Sequence, residues 1–297
     1  MNQDISICVL TEDEMGWTEP FELDKVQILD NYYLSAQKSD IAFLKKMDTA
    51  RLLAGFRTTA GIDTKGVRPY GGWEDSLLGG HCVGHYLTAL AQAVKVTGDK
   101  ELKEKSQTLI AGLEECQKKL GTGFLFGAKV EDKEDVEKQF DILEGKKKGE
   151  TWVPWYNMHK VLAGLVDTYK YTGNETAVLV AEKLGDWIYE RVSKWDLKTN
   201  QKVLETEYGG MNDCLYELYS YSHNKKFDEK ALFLMAAKGE KNCLDGKHAN
   251  TQIPKFIGAI KRYNVLKQLG EAKQEDEAYL VDAEKFFEMV VKRHSFV

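Results

Sequence analysis

The chain has 297 residues, of which 43% are hydrophobic and 30% are charged, and its formal net charge is −6. This composition is typical of a globular protein, and the excess of acidic residues argues against nucleic acid as a partner. No apolar run approaches the roughly 20 residues of a membrane-spanning helix. The N-terminus lacks the basic and apolar segments of a signal peptide, so we expect a cytoplasmic protein that does not associate with membranes.

The cysteines are scattered along the chain. None belongs to a C-x-x-C pair, which structural zinc sites normally contain. The residues by themselves therefore predict reduced thiols in a reducing compartment and no metal site. The five positions are Cys8, Cys82, Cys116, Cys214 and Cys243.

The N-terminal segment differs in pattern from the rest of the chain. Residues 21–23 and 26–28 alternate between apolar and polar side chains, as a short strand or an extended arm does. Alternation of this kind is scarce further on, and only four prolines are present, which indicates a helical body. We therefore divide the chain into an N-terminal extended arm, residues 1–30, and one helical domain, residues 31–297.

Two kinds of helix alternate in the helical domain. Apolar residues at helical spacing predict buried inner helices around residues 87–94, 162–169 and 253–260. Segments in which Glu and Lys are frequent predict outer helices with a solvated face, at residues 100–119, 175–194 and 275–293. Similar short turns end three of the apolar runs, at residues 97–99, 172–174 and 222–224, and Gly98 and Gly173 are predicted left-handed C-caps.

This alternation predicts an all-α protein with the architecture of an α/α toroid, of the (α/α)6-barrel type. The inner helices of a toroid are parallel, so their N-termini meet at one mouth. A superhelical solenoid of helix pairs is the structural alternative, but solenoid repeats have a constant length and the turns here are unequally spaced. The patterns indicate about nine helices, fewer than the twelve of a closed six-hairpin barrel, with long loops at residues 120–156 and 194–210.

An incomplete barrel leaves the inner helices near its two ends without one neighbour. Their apolar stripes should then be partly exposed and should promote self-association. The stripes are Leu87, Leu90 and Val94 on one helix and Ile253, Ile257 and Ile260 on another.

Four passages combine polar, aromatic and glycine residues immediately before apolar helical runs, at residues 81–86, 152–159, 206–212 and 248–254. Residues gathered at the same end of successive helices predict the rim of a pocket. Aromatic rings stack on sugar faces, and neutral imidazoles and amides bond sugar hydroxyls, so we expect a carbohydrate ligand. The candidate stacking residues are Trp73, Trp152, Trp155, Tyr156 and Tyr208, and His159 and His248 are the candidate ligands of sugar hydroxyls.

Other roles for these residues stay open at the level of sequence. His81 and His85 have the i, i+4 spacing of a metal pair, but no H-E-x-x-H motif accompanies them. Glu74, Asp75 and Glu207, with Asp213 and Asp245 as further options, are candidates for general acid or base, but surface or capping duty is the favoured interpretation of each. Asn157 is predicted to cap the helix that carries His159, and Pro254 to lie in the first turn of a helix.

At these passages the sequence resembles glycoside hydrolase family 127, the β-L-arabinofuranosidase-like hydrolases, over nearly its whole length. The motifs that carry the resemblance are residues 51–57 (RLLAGFR), 71–74 (GGWE), 80–87 (GHCVGHYL), 152–160 (WVPWYNMHK), 205–212 (ETEYGGMN) and 248–255 (HANTQIPK). The resemblance implies an (α/α)6 catalytic barrel that acts on plant-type arabinosides.

The resemblance also implies a retaining mechanism, in which the nucleophile is a cysteine thiolate held at zinc by one glutamate and three cysteines. In the family, the acid/base glutamate follows a segment like residues 293–297, and the zinc ligands come later. The resemblance therefore implies catalytic residues beyond Val297, the last residue of this sequence, and assigns none within it. We expect zinc in the complete family domain, none in this chain, and little hydrolase activity from this chain alone. What the resemblance transfers is the substrate-binding half of the pocket. Its residues are His159 and His248 most directly, with His81, His85, Trp73, Trp155 and Glu207 at the rim.

Two further hypotheses remain beside an arabinofuranosidase-type glycosidase. One is a sugar-binding helical scaffold without catalytic activity. The other is a different α/α-toroid enzyme, such as an unsaturated glucuronyl hydrolase or a sugar epimerase, that uses Glu74, Asp75 or Glu207.

Overall fold

The computed structural model describes residues 21–207, 210–234 and 249–295. Within these ranges the protein is all-helical, with twelve α-helices and no strand. The helices are α1 (Asn31–Lys46), α2 (Thr49–Thr59), α3 (His81–Thr97), α4 (Lys100–Leu120), α5 (Lys138–Leu143), α6 (Pro154–Thr172), α7 (Glu175–Val192), α8 (Leu197–Thr206), α9 (Met211–Ser222), α10 (Lys225–Leu234), α11 (Ala249–Gln268) and α12 (Glu277–Arg293). None of the helices in these ranges is both long and apolar enough to cross a bilayer.

Four consecutive helix pairs, α3/α4, α6/α7, α9/α10 and α11/α12, form hairpins. The first two turns are built as the sequence predicts: Gly98 and Gly173 end their helices with φ near +66° and +67°, in the left-handed region that glycine favours. Asp99 and Asn174 then cap the outer helices by accepting hydrogen bonds from Leu102 N–H and Ala177 N–H. The third turn uses His223, with φ +53°.

The inner helices α3, α6, α9 and α11 are parallel. Residues early in one inner helix face residues early in the next, and later residues face later ones. The pairs that show this are Thr88 with Asp167 (2.7 Å), Gly210 with His159, Lys170 with Glu217 (2.8 Å), Asn212 with Gly258, and Glu217 with Lys261. The N-termini of these helices therefore lie at one end of the molecule.

Glycines set the approach of the first two inner helices. A Cβ atom on Gly84 of α3 would lie 1.9 Å from the Lys160 carbonyl oxygen of α6, and one on Gly164 would lie 2.5 Å from the Gly84 carbonyl oxygen. Both distances are impossible for real side chains, so the two backbones touch only because glycine stands at these positions. This contact fixes the N-terminal ends of α3 and α6 against each other.

The structure differs from the predicted count of about nine helices because short or polar helices lie within the predicted loops. Helix α5 has only 6 residues, too few to show a period. Helix α8 lies in the predicted loop at residues 194–210, and Asn200 and Val203 are its buried residues, so it carries no apolar stripe.

The arm is described from residue 21 onward. Leu23–Lys25 form a 3-10 turn, and residues 26–30 have no regular secondary structure. The expected short strand is therefore absent from residues 21–30, while residues 1–20 lie outside the described ranges.

The two ends of the row of inner helices differ in exposure. Leu87 and Leu90 are fully buried, contrary to prediction, because α1, α2 and α4 pack around α3. At the other end, Ile253, Ile257 and Ile260 of α11 are 39%, 46% and 37% exposed, as the open-edge argument predicts. Among the described residues, no extensive contact joins α11 or α12 to α1, α2 or α3.

Candidate functional site: the mouth at the inner helix N-termini

A group of rings lies where α3 and α6 begin. The His81 ring is 6.2 Å from the His85 ring, 6.2 Å from the Tyr156 ring and 6.3 Å from the Trp73 ring, measured between centroids. Trp73, which a 3-10 turn (Gly72–Asp75) presents ahead of α3, is 66% exposed. His85 is also exposed. We call this group, with His159 and Lys160, the mouth.

His159 lies one turn into α6 and contacts the segment that leads into α9. A Cβ atom on Gly210 would lie 2.6 Å from the His159 ring, so the backbone at Gly210 rests against the imidazole. Burial, with smaller contributions from Lys160 and His85, lowers the pKa of His159 to about 3. The imidazole is therefore neutral at physiological pH and offers one donor and one acceptor.

Lys160 and His85 are the other titratable groups that share this environment. The Lys160 ammonium lies 4.7 Å from the centroid of the Tyr156 ring. Burial lowers the pKa of Lys160, and partial desolvation of the His85 ring, together with the charges of Lys160 and His81, lowers the pKa of His85. The mouth is thus a partly desolvated site in which the neutral forms of His85 and His159 are favoured.

Glu74 caps α3. Its carboxylate accepts hydrogen bonds from Gly80 N–H (2.9 Å) and Cys82 N–H (3.3 Å), and it lies 2.9 Å from Nδ1 of His81. Burial alone would raise the pKa of Glu74, but these partners outweigh it and lower the pKa. The carboxylate is therefore ionised and bound to the helix end.

Glu207 caps α6 in the same way, from the segment after α8. Its two carboxyl oxygens accept hydrogen bonds from Trp155 N–H (2.8 Å) and Tyr156 N–H (3.0 Å). Burial raises the pKa of Glu207 to about 8, although the two N–H groups oppose this rise. Glu207, expected at the rim, is 5% exposed and holds the start of α6 in place.

Trp155 does not lie among the mouth rings. It is 5% exposed and packs against Phe140, Trp187 and Trp195, with ring centroids 5.1–5.9 Å apart. At the second residue of α6, its side chain turns toward the core while that of Tyr156 turns toward His81. His248 lies outside the described residues, so its expected place at the mouth stays a prediction.

The described residues do not supply the zinc ligands that the family resemblance implies, one glutamate and three cysteines. Within the described ranges, one cluster combines metal-binding donors: Glu74, His81 and Cys82, whose ligand atoms lie within 4.8 Å of one another. This cluster contains a single cysteine, and its carboxylate is already bound by backbone N–H groups. Cys116 and Cys214 are buried on α4 and α9.

The location of the catalytic residues stays a prediction. The resemblance implies that the acid/base glutamate and the zinc ligands follow Val297, and Val297 itself lies outside the described residues, which end at residue 295. The geometry of residues 21–295 therefore bears on the binding part of the site.

Sequence reasoning missed the contributions of Cys82 and Lys160. Each directly follows a histidine of the predicted rim, His81 or His159, and this adjacency is the signal that could have identified them. The reasoning treated Cys82 only as one of several scattered thiols. Chain spacing does not show that its sulfur turns back toward the neighbouring imidazole.

Parallel inner helices, outer helices joined to them by short hairpin turns, and a polar mouth at the inner N-termini define an α/α toroid. Two solved structures share this fold. They are Ara127N-Se, a GH127 β-L-arabinofuranosidase from Geobacillus stearothermophilus T6 (14% identity, TM-score 0.53), and the GH127 β-arabinofuranosidase BT3674 (15% identity, TM-score 0.57). They match 91% and 92% of this chain, respectively.

The sequence identifies the family more specifically than the fold does. The family model described as the β-L-arabinofuranosidase GH127 catalytic domain matches residues 25–297, so the chain belongs to glycoside hydrolase family 127. The chain spans 43% of the length of each of the two solved structures. A comparison with curated proteins found no significant match.

Proposed function

We propose that the mouth binds the sugar ring of an arabinofuranoside, as the substrate-binding part of a β-L-arabinofuranosidase-type glycosidase. The observation that supports this most directly is the convergence of His81, His85, Tyr156 and Trp73 at the N-terminal ends of two parallel helices. The family membership and the activities of the two GH127 structures agree with it.

The chemistry of the mouth suits a neutral polyhydroxylated ligand. The exposed indole of Trp73 offers a flat apolar face, and the neutral imidazole of His159 donates one hydrogen bond and accepts another. The N–H groups at the starts of α3 and α6 already donate to Glu74 and Glu207, so an anionic ligand finds these donors occupied. These features favour a sugar over a phosphate or a carboxylate.

Capping also bears on which residues catalyse hydrolysis. Glycosidases need a carboxylic acid and a nucleophile beside the anomeric carbon. The carboxylate oxygens of Glu74 and Glu207 are occupied by backbone N–H groups or by His81. We therefore propose substrate binding as the role of this chain and expect little turnover of aryl β-L-arabinofuranosides by the chain alone, with or without zinc.

The binding proposal is tested with methyl β-L-arabinofuranoside by calorimetry or by saturation-transfer NMR. We expect saturable binding by the native chain and at least tenfold weaker binding by His159→Ala, because the ligand loses a hydrogen-bonding imidazole. His294→Ala, at the exposed end of α12, is the matched control and should bind normally. Equal affinity in all three proteins would contradict the proposal.

The competing hypotheses make different predictions. A non-catalytic scaffold would bind the sugar but, unlike the proposed glycosidase, would release no product even as part of a complete family domain. A glucuronyl hydrolase or epimerase would turn over its substrate without metal and would lose that activity in Asp75→Asn. Since Glu74 and Glu207 are caps, Asp75 is the remaining acid of that hypothesis.

A further inference from the structure

We propose that Cys82, His81 and Glu74 form a nucleophile–base–carboxylate relay that makes Cys82 a reactive thiol, a site of covalent modification by soft carbon electrophiles. The Cys82 sulfur lies 3.7 Å from Nε2 of His81, and Nδ1 of the same ring lies 2.9 Å from Oε1 of Glu74. Nucleophile, base and orienting group thus follow one another in the order that activated thiols use.

The tautomer of His81 follows from its neighbours. Nδ1 faces two acceptors, the Leu78 carbonyl oxygen at 2.8 Å and the Glu74 carboxylate at 2.9 Å. Neither can donate while Glu74 is ionised, so Nδ1 carries a proton. In the neutral ring Nε2 is then an acceptor, and the group it faces is the Cys82 thiol.

The surroundings favour the protonated form of the His81 ring. Burial alone would lower the pKa of His81, but the contacts with Cys82 and Glu74 outweigh it and raise the pKa to about 10. The resulting arrangement places a protonated imidazole between the Cys82 sulfur and the Glu74 carboxylate.

Exposure separates Cys82 from the other described cysteines. Cys82 is partly exposed, whereas Cys116 and Cys214 are 0% and 3% exposed. Burial raises the pKa of the Cys116 thiol to about 12 and that of Cys214 well above its usual value. The same molecule therefore contains two inert thiols against which the reactivity of Cys82 can be measured.

The reaction with iodoacetamide balances as follows. The Cys82 thiolate attacks the methylene carbon, a sulfur–carbon bond forms, and the carbon–iodine bond breaks. Iodide leaves with the electron pair, and the former thiol proton stays on His81. With an α,β-unsaturated carbonyl, the thiolate adds at the β-carbon and the α-carbon takes the proton back from His81.

The test is the alkylation rate of each cysteine in the folded chain, measured by mass spectrometry of its peptides under limiting iodoacetamide at pH 7. We expect Cys82 to react at least tenfold faster than Cys116 or Cys214, and also faster than Cys82 of the same chain unfolded in urea. His81→Gln should slow the reaction at Cys82 about tenfold, and Glu74→Gln should slow it less. His294→Gln is the control.

Measuring the alkylation rate of Cys82 over a range of pH distinguishes activation of the thiol by His81 from simple packing of the two side chains. The titratable groups that face Cys82 or its partner are Glu74 on the turn before α3, His81 and His85 on α3, and Tyr156 and Lys160 on α6. In the native chain the alkylation rate should stay high as pH falls from 8.5 to about 6, whereas in His81→Gln it should fall like that of a free thiol.

Circular dichroism melts establish that each variant is folded before its rate is interpreted. If folded His81→Gln reacts as fast as the native chain, or if folded Cys82 reacts no faster than unfolded Cys82, the relay is wrong. If a chelator such as EDTA accelerates the reaction, the cluster holds a metal ion instead, which would also overturn the proposal.

Discussion

At the residue scale, the mouth is organised by two carboxylates that come from outside the helices they cap. Glu74 and Glu207 lie at the N-termini of α3 and α6 and accept hydrogen bonds from backbone N–H groups there. Their hydrogen bonds to backbone N–H groups orient the first turns, and with them His81 and Tyr156. The two caps therefore affect the ligand site by positioning the side chains that line it.

Replacing Glu207 by Ala should destabilise the protein. Alanine removes the acceptor to which Trp155 N–H and Tyr156 N–H both donate. We expect a loss of about 1–2 kcal/mol in the free energy of unfolding by urea denaturation. Glu205→Ala, at an exposed position on α8, should change it by less than about 0.5 kcal/mol. Equal stability of both variants would refute the capping role.

His159 should make stability depend on pH. Its pKa is about 3 in the folded state, against an ordinary value near 6.5, so below pH 6.5 the unfolded chain takes up a proton that the folded chain does not. The imidazole thus contributes stability that is present above pH 6.5 and is lost as pH falls toward 3. Between pH 7.5 and 5.5, unfolding of the native chain should become easier by about 1 kcal/mol more than unfolding of His159→Phe. If the free energy of unfolding changed with pH in the same way in the native chain and in His159→Phe, this prediction would be wrong.

At the residue scale, sequence reasoning placed side chains on the right segments but not always on the right side. Trp155 and Tyr156 are neighbours, yet one lies in the core and the other at the mouth. Asn157, expected as a cap, lies inside α6, where its Nδ2 donates to the Leu77 carbonyl oxygen. The helix begins earlier, at Pro154, because Glu207 supplies the cap from a distant segment.

At the scale of elements, the close approach of α3 to α6 depends on glycine. Gly84→Ala would place a Cβ atom 1.9 Å from the Lys160 carbonyl oxygen, so the helices must move apart. By analogy with overpacked cores, we expect the free energy of unfolding to fall by about 3 kcal/mol or more. We also expect weaker sugar binding at the mouth. Gly71→Ala is the control, because φ is −71° there and no atom lies within 4 Å of the added Cβ. Thermal melts of the two variants give the comparison.

The inner helices are also joined by ion pairs that the sequence does not show. Glu217 of α9 binds Lys170 of α6 and Lys261 of α11. Burial alone would raise the pKa of Glu217, but the two lysines outweigh it and lower the pKa to about 2. Three parallel helices are thereby held at one register, which periodicity alone could not specify.

At the scale of the whole molecule, the row of inner helices ends at an apolar surface on α11 and α12. Ile257 is 46% exposed and Phe287 is 67% exposed. We expect this surface to cause concentration-dependent self-association, because large exposed apolar patches are uncommon on monomers. Light scattering should show smaller particles for Ile257→Lys combined with Phe287→Lys. Leu197→Lys, 70% exposed on α8, should change nothing. A native chain that stays monomeric at all concentrations would refute this expectation.

The sequence by itself determined the helical class, the hairpin turns at Gly98 and Gly173, and the end of the helices at which the mouth lies. These features depend on local interactions, namely helical periodicity and left-handed glycine caps, which short segments encode. The tertiary structure alone decided that Glu207 caps α6, that Trp155 is core, that Leu87 is buried, and that Cys82 faces His81 beside Glu74. Each of these depends on contacts between segments far apart in the chain, or on the direction of a side chain about its helix, and neither is written in local spacing.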